Sequence, residues 1–199
     1  MNRLVDPGAN VAAWVGVGMA VVIAISFLLI IPIEPILWFL ALPAGLLIGY
    51  YANQRSDRRH GPWGRIVANG LFAGVVTGLT LAALLLAVKV LFFAADNGYR
   101  DASAGGSLSC ASGSDCVYAR YRADGRGADL AAQGVTDAGS FGRFYWGQQL
   151  ATAGLLVGLG GAGGLGGGLL YGLFRPKLGS AAGVADGRIE TPRGAPGAS

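Results

Sequence analysis

The 199-residue chain is 53% hydrophobic and only 13% charged, whereas an ordinary soluble domain carries about 25% charged residues. Because the apolar residues stand in four long blocks, this composition argues against a soluble domain with one dispersed core. The net charge is +4, but the basic residues flank the apolar blocks. They therefore favour anionic lipid head groups as partners and give no indication of nucleic acid.

The first two blocks each predict a membrane-spanning helix. After a short cytoplasmic N-terminus at residues 1–11, residues 12–33 contain no charge, and about 20 apolar residues are enough to cross the hydrocarbon layer. The second predicted span, 35–51, contains Pro43, where a kink is expected because proline removes a backbone hydrogen bond. Since this block is near the lower length limit, a re-entrant hairpin of the two segments is the less favoured alternative.

The second half of the chain predicts two further spans, at 66–95 and 150–174. A polar loop at 96–146 separates them, and the stretch CVYARYRA at 116–123 alternates well enough to predict a short strand. Glycine is so frequent in the fourth block that a bend is expected around Gly160–Gly168. The Gly-, Ala- and Pro-rich tail, 175–199, predicts a disordered cytoplasmic segment.

The distribution of arginine predicts the orientation. Four arginines lie between or beside the second and third blocks, and we expect them to set the topology and to contact lipid head groups: Arg55, Arg58, Arg59 and Arg65. Because arginine and lysine are enriched in cytoplasmic loops, both termini should lie inside and the 96–146 loop outside. The expected location is the plasma membrane, with the chain crossing it several times.

The two cysteines predict a disulfide and argue against a metal site. Cys110 and Cys116 lie in the external loop, where a thiol pair can form and keep a bond. A redox or zinc pair is the alternative, but a zinc site needs about four ligands. The lone His60 lies in the loop predicted to be on the opposite side, so we expect neither metal nor cofactor.

Small residues recur at helical spacing in every block. The stripes that we expect to pack helix against helix are, in the third and fourth blocks, Gly70, Gly74, Gly78, Gly160, Gly164, Gly168 and Gly172. Small residues allow close backbone approach in lipid, where hydrophobicity alone does not join helices. Gly154, Gly158, Ala162 and Gly166 form a second stripe. Packing within one bundle is favoured over a glycine-zipper oligomer that lines a pore.

The residues that carry chemistry are few. Gly158–Gly163 matches the dinucleotide pattern G-x-G-x-x-G, but it lies in an apolar block with no preceding strand signal. No carboxylate falls in the middle of a block, and Asn69 is expected to bond to a neighbouring helix. We therefore expect no catalytic site, and a structural or interaction component that contacts the bilayer, further copies or other membrane proteins. A channel or transporter subunit is the alternative.

Overall fold

A computed structural model of the chain describes residues 4–26, 34–57, 61–95, 110 and 112–174. Within these ranges the protein is helical and contains no strand. The helices, in chain order, are α1 Pro7–Ala24, α2 Glu34–Arg55, α3 Trp63–Ala95, α4 Ser114–Tyr121, α5 Gly127–Ala132 and α6 Ala138–Leu173, with a π-helical turn at Arg122–Arg126 between α4 and α5. The all-helical class predicted from the sequence is confirmed for the described residues.

The four long helices α1, α2, α3 and α6 alternate in direction. Gly45 and Gly49 of α2 lie against Gly160 and Gly164 of α6 in the same order along both helices, so these two helices run parallel. By contrast, Gly70 of α3 lies at the level of Gly164 and Gly168, and Gly78 at the level of Leu156, so α3 runs antiparallel to α6. The same reasoning makes α1 parallel to α3. The result is an up-down-up-down bundle.

The long helices begin at recognisable local signals. Asp6 has extended backbone and is followed by Pro7 at the first helical position, where the missing N–H of proline removes no hydrogen bond. At the start of α6 the Asp137 carboxylate accepts a hydrogen bond from the Ser140 N–H, and the Ser140 hydroxyl accepts one from the Asp137 N–H. This reciprocal capping box fixes the first turn of α6.

The structure corrects several sequence predictions. The stretch 116–123, predicted as a strand, lies in α4 and the π-helical turn that follows it. The predicted loop 96–146 also contains α5 and the first turns of α6, which starts at Ala138 and not near residue 150. In addition, α6 is unbroken through its glycine-rich stretch, and α2 continues as one helix past Pro43. The bend expected in α6 and the kink expected at Pro43 stay predictions.

Three helices, α1, α3 and α6, are long and apolar enough to cross a membrane. α2 is not among them, although it has 22 residues. Its last turn contains the polar residues Asn53, Gln54 and Arg55. Outside the described residues lie the predicted cytoplasmic tail, residues 27–33 of the first predicted span, and Arg58, Arg59 and His60.

Candidate functional site: glycine interfaces and a buried polar cluster

The interface between α3 and α6 is built of glycines on both sides. A Cβ atom at Gly74 would lie 2.7 Å from the Cα of Gly164, and one at Gly160 would lie 2.9 Å from the Cα of Gly78. Gly70 likewise faces the carbonyl oxygen of Gly164. No side chain larger than hydrogen fits between these backbones, so the two helices approach more closely than ordinary apolar side chains permit.

A second glycine interface joins α2 to α6. A Cβ atom at Gly49 would lie 2.7 Å from the Cα of Gly164, and one at Gly167 would lie 2.6 Å from the backbone nitrogen of Tyr50. The sequence pattern did not identify Gly163 and Gly167 as packing residues, although they are spaced four residues apart like the others. Gly164, like Gly160, is therefore a residue at which three helices, α2, α3 and α6, come together.

The other predicted packing glycines divide into two groups. Gly168 lies near Ile66 and Asn53 inside the bundle, and Gly172 lies against the ring of Trp63. The second stripe of α6 is different, because a Cβ atom at Gly154, Gly158 or Gly166 would meet nothing within 4 Å. This open face of α6, defined by those three glycines, does not contribute to the packing of the bundle.

A buried polar cluster joins the start of α1 to the first turns of α3. The Asn69 side chain donates a hydrogen bond from Nδ2 to Oδ2 of Asp6 at 2.8 Å, and its Oδ1 accepts one from the Asp6 N–H at 3.0 Å. Arg65 Nη1 lies 3.5 Å from Asp6 Oδ1. The predicted hydrogen bond from Asn69 to a neighbouring helix is present, and its partner, Asp6, was not predicted from the sequence.

Asn53 makes a second polar connection at the same end of the bundle. Its Nδ2 donates to the carbonyl oxygens of Gly49 and Ile66, at 3.1 and 2.9 Å, and so joins α2 to α3. The Oδ1 atom has no hydrogen-bond partner within the described part of the chain. We call this end, where α1 starts, α2 ends and α3 starts, the basic end, because Arg55 and Arg65 also lie there.

At the opposite end, the described residues from Ser114 to the start of α6 form a compact aromatic cap. The cap consists of α4, the π-helical turn and α5, packed on the first turns of α6 around buried Phe141. Tyr118 and Tyr121 of α4 contact the Phe141 ring at centroid distances of 5.5 and 5.1 Å. The predicted disulfide Cys110–Cys116 is present and ties the preceding chain to α4.

The cap also holds charged groups at its surface. The guanidinium carbons of Arg122 and Arg126 lie 5.8 and 5.0 Å from the ring centroids of Tyr118 and Tyr121, in cation–π geometry. The hydrogen bond from the Ser140 N–H, together with Arg143 nearby, lowers the pKa of the Asp137 carboxyl from its usual value. The ionised form of Asp137 therefore stabilises the start of α6.

The polar groups inside the bundle bind the backbone. The hydroxyl of Thr77, buried against Gly16, donates to the carbonyl oxygen of Ala73, and Thr80 donates to Val76 in the same way. The G-x-G-x-x-G match at Gly158–Gly163 lies within α6 and not between a strand and a helix, so the structure contradicts dinucleotide binding there. Among the described residues, no three His, Cys, Asp or Glu side chains are grouped to hold a metal ion.

No protein-family model, curated protein or solved structure matches this chain.

Proposed function

We propose that the chain is a four-span helical membrane protein that acts as a structural or interaction component, without enzymatic activity. The observation that carries this proposal is the use of glycine, not large apolar side chains, to join the long helices. Close backbone contact of this kind is the means by which helices associate inside lipid. α1, α3 and α6 have the length and apolar character of membrane spans.

Two observations support α2 as the fourth span. With 22 residues it is about 33 Å long, which compares with a hydrocarbon thickness of about 30 Å. It also lies alongside α3 over most of its length, because Asn53 bonds to Ile66 at one end while Leu37 packs in one cluster with Leu85 at the other. A re-entrant hairpin would turn back part of the way along α3.

The charges support an orientation with the basic end in the cytoplasm. Arg55 and Arg65 lie there, the sequence places Arg58 and Arg59 between them, and cytoplasmic loops are rich in arginine. The disulfide-bonded cap then lies outside, in a compartment where disulfides persist. We propose that the chain lies in the plasma membrane in this orientation.

The chemistry of the interior supports a packing role. Thr77 binds its own helix backbone, Asn53 binds two backbone carbonyl groups, and Asn69 binds the residue that starts α1. Asn53 and Asn69 thus join neighbouring helices, whereas the hydroxyl of Thr77 bonds within α3. Buried polar groups in a membrane are costly, and the hydrogen bonds of these three side chains offset part of that cost.

Photo-crosslinking in the native membrane tests the interaction role. A photoreactive amino acid at Leu155, 44% exposed and adjacent to the open face of α6, should form an adduct with another membrane protein or a second copy. The same residue at Leu79 of α3, 52% exposed, is the matched control and should label lipid. Adducts with lipid alone at both positions would contradict the proposal.

A channel or transporter subunit is the second candidate, and the open face of α6 is what favours it. Gly154, Gly158 and Gly166 allow close approach of another helix. Purified protein in liposomes should then conduct an ion or solute, and Gly158→Leu should abolish both the oligomer and the flux. Gly164 and Gly168 lie inside the bundle, so their replacement tests folding and not this contact.

A further inference from the structure

We infer that the basic end binds the head group of an anionic phospholipid between Arg55 and Arg65, beside Trp63. This inference depends on the proposed membrane insertion and adds a partner to it. The occupant is an acidic lipid of the leaflet that surrounds this end, recognised through its phosphate group. Arg55 is the last residue of α2 and Arg65 lies in the first turn of α3, and the start of α1 contacts the backbone of Arg55 and the side chain of Arg65.

The first turn of α1 lies between the two arginines. On one side, a Cβ atom at Gly8 would lie 2.6 Å from the backbone carbonyl carbon of Arg55, the last residue of α2. On the other side, Asp6 is fixed by its two hydrogen bonds to Asn69 and lies 3.5 Å from Arg65. Asp6 and Gly8 are two residues apart, so both arginines border the same short stretch of α1.

Arg65 retains hydrogen-bonding capacity beyond its contact with Asp6. The Arg65 side chain is 38% exposed, and the distance from its Nη1 atom to Oδ1 of Asp6 is long, at 3.5 Å. A guanidinium group carries five N–H donors in a planar fork that suits a phosphate. Because the contact with Asp6 is long and the side chain is 38% exposed, the exposed N–H groups of Arg65 can donate to a second anion.

Trp63 places this pair at head-group depth. It is the first residue of α3 and is 45% exposed, while the edge of its ring rests against Gly172 of α6. Tryptophan is enriched at the boundary between hydrocarbon and head groups. Arg65 follows two residues later, about 3 Å deeper along the helix axis, and its long side chain can extend back to the lipid phosphates.

The charge of the segment favours an anionic lipid over a zwitterionic one. Between residues 55 and 65 the sequence carries four arginines and one aspartate. Clusters of this density at the cytoplasmic end of a span attract acidic lipids. Asp6 opposes part of this charge, so it weakens the site electrostatically while it positions Arg65.

Native mass spectrometry of the full chain in a neutral detergent tests the site, with phosphatidylglycerol compared against phosphatidylcholine. Arg65→Gln and Arg55→Gln should each weaken phosphatidylglycerol binding about fivefold. Asp6→Asn retains an acceptor for Asn69 and removes the opposing charge, so it should strengthen binding. Arg143→Gln, an exposed arginine at the other end of the bundle, is the matched control and should change nothing.

Three results would overturn the inference: binding unaffected by both Arg55→Gln and Arg65→Gln, an equal loss with Arg143→Gln, or glycerol phosphate bound as tightly as the lipid. Circular dichroism of each variant shows whether the helices are intact. Alkaline extraction of membranes separates this inference from the proposed function. A chain that resists extraction but shows no charge-dependent lipid binding contradicts the lipid site alone, whereas a chain that is released contradicts membrane insertion.

Discussion

Replacing Gly164 by alanine should destabilise the bundle, because position 164 is where three helices meet. The new Cβ atom would meet the carbonyl oxygen of Gly70 and lie 2.9 Å from the Cα of Gly74, distances that real Cβ atoms essentially never show. Those atoms belong to the backbone of α3, so no side chain can rotate away. Helix α3 as a whole must move.

The size of the effect follows from two opposing terms. Overpacking a well-packed interior costs about 1–3 kcal/mol, and the loss of close backbone contacts along the interface is part of that cost. Alanine is a better helix former than glycine by up to about 1 kcal/mol. The expected net loss for Gly164→Ala is therefore about 0–2 kcal/mol, and the loss relative to a Gly→Ala change in open space on the same helix is about 1–3 kcal/mol.

Gly158→Ala is the matched control on the same helix. A Cβ atom there meets nothing within 4 Å, so only the gain in helix propensity applies, and stability should be unchanged or raised by up to about 1 kcal/mol. Unfolding of the full chain in mixed detergent micelles, followed by far-ultraviolet circular dichroism, measures both variants. Equal stability of Gly164→Ala and Gly158→Ala would refute the glycine interface.

Three further perturbations test other parts of the structure. Asn69→Leu removes both hydrogen bonds between Asn69 and Asp6 and should lower the free energy of unfolding by about 1–3 kcal/mol, which the same titration measures. The lowered pKa of Asp137 means that its contribution to the capping box is complete above the usual carboxyl pKa and is lost as the pH falls through the lower, folded-state value. The protection of the Ser140 amide against hydrogen exchange, relative to its intrinsic rate at each pH, should therefore fall only in acid, and Asp137→Asn should abolish this pH dependence. Cys116→Ser should weaken the cap by about 2 kcal/mol and speed tryptic cleavage there, while cleavage elsewhere stays unchanged.

The spacing of glycine was informative because it depends on helix geometry alone. Residues four apart lie on one face of a helix, and Gly70, Gly74 and Gly78 do face α6. The sequence could not indicate which of the two stripes on α6 lies inside the bundle. That choice depends on how α2 and α3 are arranged around α6, which is a property of the whole bundle.

The ends of helices were harder to predict. The first span was expected from residue 12, yet α1 starts at Pro7, and the Asp-Pro pair that marks this start is visible in the sequence. Because residues 1–11 were assigned to a polar terminus, the role of Asp6 as the partner of Asn69 was missed. Likewise, the second span was predicted to end at residue 51, whereas Asn53 lies in the last turn of α2.

The cap was mispredicted because its pattern is ambiguous over a short stretch. The alternation in residues 116–123 fits a strand, but Val117, Tyr118 and Tyr121 also share one helical face, and short segments do not distinguish the two periods. Packing of Tyr118 and Tyr121 on Phe141 favours the helix. Their partner, Phe141, lies within residues 96–146, which were predicted to form a loop.

Topology is the most direct test of the proposed orientation, in which α3 crosses the membrane from the basic end to the cap. Compartment-specific reporters fused after Asp57, in the turn that follows α2, and after Gln133, in the turn that follows α5, lie at opposite ends of the bundle. We expect reporter activity in the cytoplasm for the first fusion and outside the cell membrane for the second. Activity of both reporters in the same compartment would contradict this orientation.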